Sequence, residues 1–176
     1  PDDLKHLMRT AHSNGIAVVM DLVQGHYVAN TTEGLNMIDG DENLYSPKES
    51  ENIHPYWETK LFDYSDINVQ RFLLSNIRYW MEEYHIDGFR FDGVTSMIYK
   101  HHGYVDDFGT YDNYFGKCVN EDAITYLTLA NDLIHSLRPD AVTIAEEVSG
   151  MPGMARPIAD GGVGFDYRMA MALPDY

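Results

Sequence analysis

Asp87-Gly88-Phe89-Arg90-Phe91-Asp92-Gly93 is the stretch that decides the fold. In an extended strand alternate side chains share a face, so Arg90 and Asp92 project together while Phe89 and Phe91 point the other way. Charged groups on the inner face and apolar ones on the outer face reverse the pattern of an ordinary half-buried strand. The reversal suits a barrel of parallel strands whose ends line an active site.

Working outward from it, the preceding residues predict a helix over 68–84, capped by Asp66, with Val69, Leu73, Ile77, Trp80 and Tyr84 on its inner face. Upstream, Pro1-Asp2-Asp3 opens a helix whose apolar stripe is Leu4, Leu7, Met8 and Ala11, and Asn14-Gly15 stops it. The apolar run 16–23, broken by Asp21, predicts a strand covered on both faces. Residues 24–64 have no sustained period and predict a loop too long to be a mere connection.

Downstream, 95–100 predicts a short helix with His101 and His102 at its solvated end, followed by a loop to Asn120. Asn120 caps a third long helix lined by Ile124, Leu127, Ile134 and Leu137 and closed by Pro139. The run 141–148 is another apolar strand, ending in Glu146-Glu147, and 161–167 is a loop entering one more short strand. Alternation of helix and strand predicts right-handed crossovers, a parallel sheet and an α/β fold, with nothing that divides the segment into two domains.

The composition narrows the function. A 44% hydrophobic content with 12% aromatics argues for a packed core. Twelve Lys and Arg against twenty-eight Asp and Glu give a net charge of −16, which repels nucleic acid and anionic membrane surfaces alike and favours a neutral partner. No apolar run approaches the roughly 20 residues of a membrane span. The single cysteine, Cys118, closes no intramolecular disulfide and favours a reducing, cytoplasmic setting. The chain opens at Pro1 with neither an initiator methionine nor a leader, as expected of an excerpt.

Three expected strands end in polar groups: Asp21 with His26 beyond it, Arg90 with Asp92, and Glu146 with Glu147. Carboxyl ends of parallel strands are where sites assemble, so these groups should converge. Each alone reads as easily as a helix cap or a structural ion pair; together they suit glycosidic chemistry. One carboxylate, Asp92, attacks the anomeric carbon with Arg90 beside it, and Glu146, on an otherwise apolar strand, supplies the proton, at the retaining separation of about 5–5.5 Å. A divalent metal held by Asp21, His26, Asp92 and Glu146 is the rival reading, opposed by the guanidinium next to Asp92. Of the loop aromatics Tyr27, Tyr45, Tyr56, Trp57, Tyr104, Tyr111, Tyr114 and Phe115, most are expected to pack the loops, and Trp57 to contact a sugar.

Val19-Met20-Asp21-Leu22-Val23-Gln24-Gly25-His26, the stretch 88–97 from Gly88-Phe89-Arg90-Phe91-Asp92 to Met97, and Thr143-Ile144-Ala145-Glu146-Glu147 with the following Val148-Ser149-Gly150-Met151-Pro152 resemble three signatures of the alpha-amylase superfamily. Within it, Gly93-Val94-Thr95-Ser96 is similar to the eukaryotic-type glycogen (1,4-alpha-glucan) branching enzymes, and the likeness covers almost the whole chain. The resemblance implies that Asp92 is the nucleophile and Glu146 the acid/base, that Arg90 positions the nucleophile, and that Asp21 and His26 bind the sugar. It implies a retaining cleavage of an alpha-1,4 link and transfer to a 6-hydroxyl, on an alpha-glucan partner, with no metal or organic cofactor.

Gln24, Gly25 and Tyr27 depart from the first signature at positions expected to touch sugar binding, and Glu147 departs from the aspartate that usually follows the acid/base, at a position expected to bear on acceptor geometry. The family's fourth signature, a His-Asp pair, has no match before Tyr176. A complete (β/α)8 barrel takes about 250 residues, so residues 1–176 are expected to be a central piece of one, about its third to sixth strands, inactive and poorly stable by itself. A hydrolase with the same residues, or a glucan-binding protein without activity, are the competing expectations.

Overall fold

The computed structural model describes residues 1–48, 52–104 and 108–169 of the chain. Residues 49–51 and 105–107 of the two expected loops, and 170–176, lie outside the described residues.

Helix α1 (Asp2–Ser13) leads into strand β1 (Val19–Leu22). Two short strands, β2 (His26–Tyr27) and β3 (Lys60–Leu61), pair antiparallel and pin the two ends of the long loop together, a ladder that its irregular sequence does not announce. Helix α2 (Ile67–Tyr84) then returns the chain to β4 (Gly88–Phe91), and a short α3 (Val94–Ile98) and α4 (Tyr111–Phe115) precede α5 (Glu121–Leu137). Strand β5 (Val142–Ala145), a single turn of 3-10 helix at Ile158–Asp160, and β6 (Tyr167–Arg168) complete the described elements.

Strands β1, β4, β5 and β6 form one parallel sheet in that order. Its helical face is the core. Phe89, Phe91 and Ala145 are fully buried there, against Leu73 and Ile77 of α2 and Leu127 and Ile134 of α5. The long helices start where the sequence says: Asp66 accepts from the Asn68 N–H and Asn120 from the Ala123 N–H, each satisfying a donor the first turn leaves open. On α2 the buried face runs through Val69, Leu73, Ile77, Met81 and Tyr84, so that Met81 takes the place expected of Trp80, which is half-buried.

The other sheet face is open, and this corrects the expectation that the first strand is covered on both sides. Ile16, Val19 and Val23 are all exposed, because β1 is the sheet edge and nothing described packs on its inner face. For the same reason the apolar stripe of α1 is buried only at Met8, while Leu7 stays exposed.

Asp87, just before β4, anchors the amino end of the sheet. Its carboxylate accepts from the Val18 N–H (2.6 Å) and meets His12 (2.8 Å) and Arg138 (2.6 Å), tying α1, β1 and the end of α5 to one point. Burial pushes this carboxyl up, but the Val18 N–H, His12 and Arg138 outweigh it and hold it below the usual range.

Candidate active site

Register places the site. Asp21, Arg90, Ile144 and Tyr167 are successive partners across β1, β4, β5 and β6, so they stand in one row on the open face. The ladder continues one residue past the strands: the Asp92 N–H donates to the Leu22 carbonyl (3.1 Å) and the Glu146 N–H to the Phe91 carbonyl (3.0 Å). With Phe91 paired to Ala145, Asp92 and Glu146 are therefore neighbours on adjacent strands, their backbones about 4.8 Å apart.

Arg90 sits beneath both. One guanidinium nitrogen lies 3.1 Å from Asp21 and 3.2 Å from Asp92, and the other lies 3.1 Å from Glu146. The two carboxyl groups are thus separated by no more than a guanidinium and two hydrogen bonds. Glu146 also accepts from the Gly93 N–H at 2.9 Å. Gly93 has φ +61, a left-handed conformation that costs glycine little and turns the chain from β4 into α3. The apolar surroundings expected for Glu146 are not found: an arginine and a backbone donor flank it, because strand alternation turns its side chain to the charged face. Burial lowers the Arg90 guanidinium's affinity for its proton, but Glu146, Asp21 and Asp92 more than restore it, so the cation is fixed.

His26 and Trp57 join from the long loop. Their ring centroids are 5.0 Å apart, and Trp57 stacks flat on His54 at 3.8 Å and 7°. Burial lowers the His26 pKa, opposed by the nearby Asp92 charge. Trp57 also lines, with Asp92, Gly93, Thr95, Glu146 and Val148, a cavity of about 390 Å³. All six residues singled out from the sequence are thereby gathered at one end of the sheet. The cation among the three carboxylates is Arg90, and among the described residues no group of three or more His, Cys, Asp or Glu is spaced to hold a metal.

The sequence reading does not single out His54, nor the contacts that Ser96 and His102 make with it. His54 is fully buried; its Nδ1 accepts from the Tyr56 and Trp57 N–H groups, leaving Nε2 to donate to Ser96 Oγ at 3.1 Å. Burial, then His102 and His26, depress its pKa to about 4, so it is a neutral pillar under Trp57. His102 is half-buried and bonds the Ser96 carbonyl at 3.0 Å, which corrects the solvated helix end expected of it. No local period marks these residues; the only hint is His54-Pro55 in a turn before Trp57.

Two further expectations change. Gln24 is buried in the helix layer, donating to the Leu73 carbonyl and to Asn76 and accepting from Tyr126, and Tyr27 is buried with its hydroxyl on Ser46. Both are structural and neither reaches the open face. Of the loop aromatics, Tyr56, Trp57, Tyr104, Tyr111 and Phe115 are exposed, yet Tyr56 packs on Tyr104 and Trp57 on His54, ring to ring.

The chain is 57% identical over 176 residues to the 1,4-alpha-glucan-branching enzyme of Equus caballus and 54% identical to that of Emericella nidulans. Throughout its length the chain is homologous to 1,4-alpha-glucan-branching enzymes. Each alignment covers 99% of the chain but only 25–26% of the relative, so the chain spans about a quarter of the length of these branching enzymes. No family model matches. In fold, the chain is similar to an alpha-amylase from Geobacillus thermoleovorans crystallised with acarbose, with a TM-score of 0.61 at 18% identity over 98% of this chain and 34% of that one. The chain thus has an α/β fold like that of this alpha-amylase, and its sequence is similar throughout to about a quarter of the branching enzymes.

Proposed function

We propose that this chain carries the central catalytic residues of an alpha-glucan branching transferase. Asp92 attacks the anomeric carbon of an alpha-1,4-linked glucose while Glu146 gives its proton to the departing 4-oxygen, leaving a glucosyl ester on Asp92. Glu146 then takes the proton from an incoming 6-hydroxyl, whose oxygen displaces Asp92, forming an alpha-1,6 link with retention. Arg90 holds both carboxyl groups and Asp21; His26 and Asp21 bind the sugar, and Trp57 offers its ring to the sugar's apolar face.

The observation that carries this reading is the pair Asp92 and Glu146, neighbours one residue past the paired ends of β4 and β5 and both held by Arg90; retaining enzymes use two such carboxyl groups about 5–5.5 Å apart. The open inner face and a length about a quarter of the branching enzymes support a further step: β1, β4, β5 and β6 are a sector of a (β/α)8 barrel, about its third to sixth strands, completed by other parts of a longer protein. A neutral polysaccharide, not nucleic acid or membrane, suits the net charge of −16, and the exposed free Cys118 suits a cytoplasmic setting.

The test uses the full-length protein that carries this segment. Incubated with amylose, it should introduce debranching-sensitive alpha-1,6 links, and Asp92→Asn should abolish them. New reducing ends without branches would mean a hydrolase, and full activity of Asp92→Asn would end the assignment.

A further inference from the structure

Glu147 stands next to Glu146 but on the opposite face, in line with buried Ala145, and it is fully buried. A carboxylate in such a place is costly unless every lone pair is met. Here they are met. One oxygen accepts from Thr95 Oγ1 (3.0 Å), the Ser149 N–H (2.8 Å) and the Ser149 hydroxyl; the other accepts from the Gly150 N–H (3.0 Å) and the Met151 N–H (3.1 Å), with Arg168 at 3.7 Å. Thr95 Oγ1 in turn accepts from the Val148 N–H at 2.8 Å.

These bonds join three strand ends. Thr95 belongs to α3, which begins two residues after Asp92; Ser149, Gly150 and Met151 form the loop after Glu146; Arg168 lies on β6. The backbone around Glu146 is therefore clamped from below to the helix that follows Asp92. We propose that Glu147 is a positioning residue, which fixes the acid/base Glu146 against the glycosidic oxygen through the Thr95 and 149–151 bonds. The inference rests on the branching reading of Asp92 and Glu146. A side chain loosened by about 1 Å at such a site costs on the order of 10²-fold in rate.

The experiment compares two donors in the full-length protein. On amylose the leaving oxygen needs a proton; on an alpha-maltosyl fluoride the fluoride leaves without one, so the first-turnover burst of fluoride reports Asp92 without the acid. Burst amplitude counts active sites and burst rate gives the chemistry per site. Glu147→Gln should lower the branching rate per active site by about 10²-fold with little change in burst rate, as Glu146→Gln does in fuller form, and Glu147→Asp, which keeps the charge, should fall between. Equal losses on both donors, or none on either, would overturn the proposal. Should Glu147→Gln fail to fold, Thr95→Val removes one bond of the set, and an unchanged branching rate per active site would equally overturn it. If Asp92→Asn still gives a burst, the branching reading itself is what has failed.

Discussion

Asp92 and Glu146 are cross-strand neighbours in a parallel sheet, one residue beyond the last paired positions of β4 and β5, and both rest on the guanidinium of Arg90. Their separation is thus set by the sheet's own spacing rather than by loop conformation. Sites held by strand ends are positioned more tightly than sites on loops. What the loops add is an aromatic side to this cluster, Trp57 over His54 and His26 beside Asp92.

Arg90 is predicted to be irreplaceable by lysine. Its two terminal nitrogens reach three carboxylates from different directions, whereas an ammonium is a single point that serves one or two. Arg90→Lys should lower kcat by about 10²-fold, the scale of losing one preorganised electrostatic contact. The melting temperature should stay near that of the parent, since Arg90 lies on the open face and not in the apolar core. A variant of undiminished kcat would remove Arg90 from the site.

His54 makes stability depend on pH. Its folded pKa of about 4 lies below the ordinary 6.5, so between these values the unfolded chain binds the proton that the folded one refuses. The full stability is present above pH 6.5 and is lost as pH falls toward 4. At pH 5 the loss from this group is about 2 kcal/mol. Melting temperatures at pH 7 and pH 5 should therefore differ by less in His54→Gln than in the parent; an equal difference would show that His54 is not the titrating group.

Much of this was legible in the sequence, and the rest fails for identifiable reasons. Caps such as Asp66 and Asn120 are local signals, read correctly because their partners are two and three residues away. The charged alternation at Arg90 and Asp92 is equally local. Carried two residues past the strands, the same alternation would have put Gln24 with buried Leu22 and Glu147 with buried Ala145, so their roles under the sheet were readable and were missed. His54 was not readable, because its partner Ser96 is 42 residues distant. Nor was the exposure of β1, which depends on what lies beside the strand and not on its own residues.

Gly88 is predicted to tolerate no side chain. A Cβ there would stand 2.2 Å from the carbonyl oxygen of Val142, a backbone atom held in the β4–β5 ladder that cannot move aside without breaking it. Gly88→Ala should therefore separate the strands that carry Asp92 and Glu146, yielding insoluble or inactive protein. Normal expression with a parent-like melting temperature would contradict the close approach of these strands.

Asp87 offers the complementary test, of stability without chemistry. It lies at the amino end of β4, whereas Asp92 follows the carboxyl end, and it alone joins Val18, His12 and Arg138. Its partners His12 and Arg138 are each about a third exposed, so water takes up part of what they lose, and the cost is about 1–3 kcal/mol, mostly from the Val18 N–H left without its acceptor. Asp87→Ala should lower the melting temperature accordingly while leaving intact the activity proposed for the full-length protein, because no bond of Asp87 reaches the Arg90 cluster. The sign with pH follows from its depressed pKa: the stabilisation is present above the ordinary carboxylate range near 3.8 and is lost as acid protonates the folded carboxyl. The variant's melting temperature should then fall less steeply than the parent's below that range. A variant that melts like the parent but loses activity would place Asp87 in the chemistry and not in the scaffold.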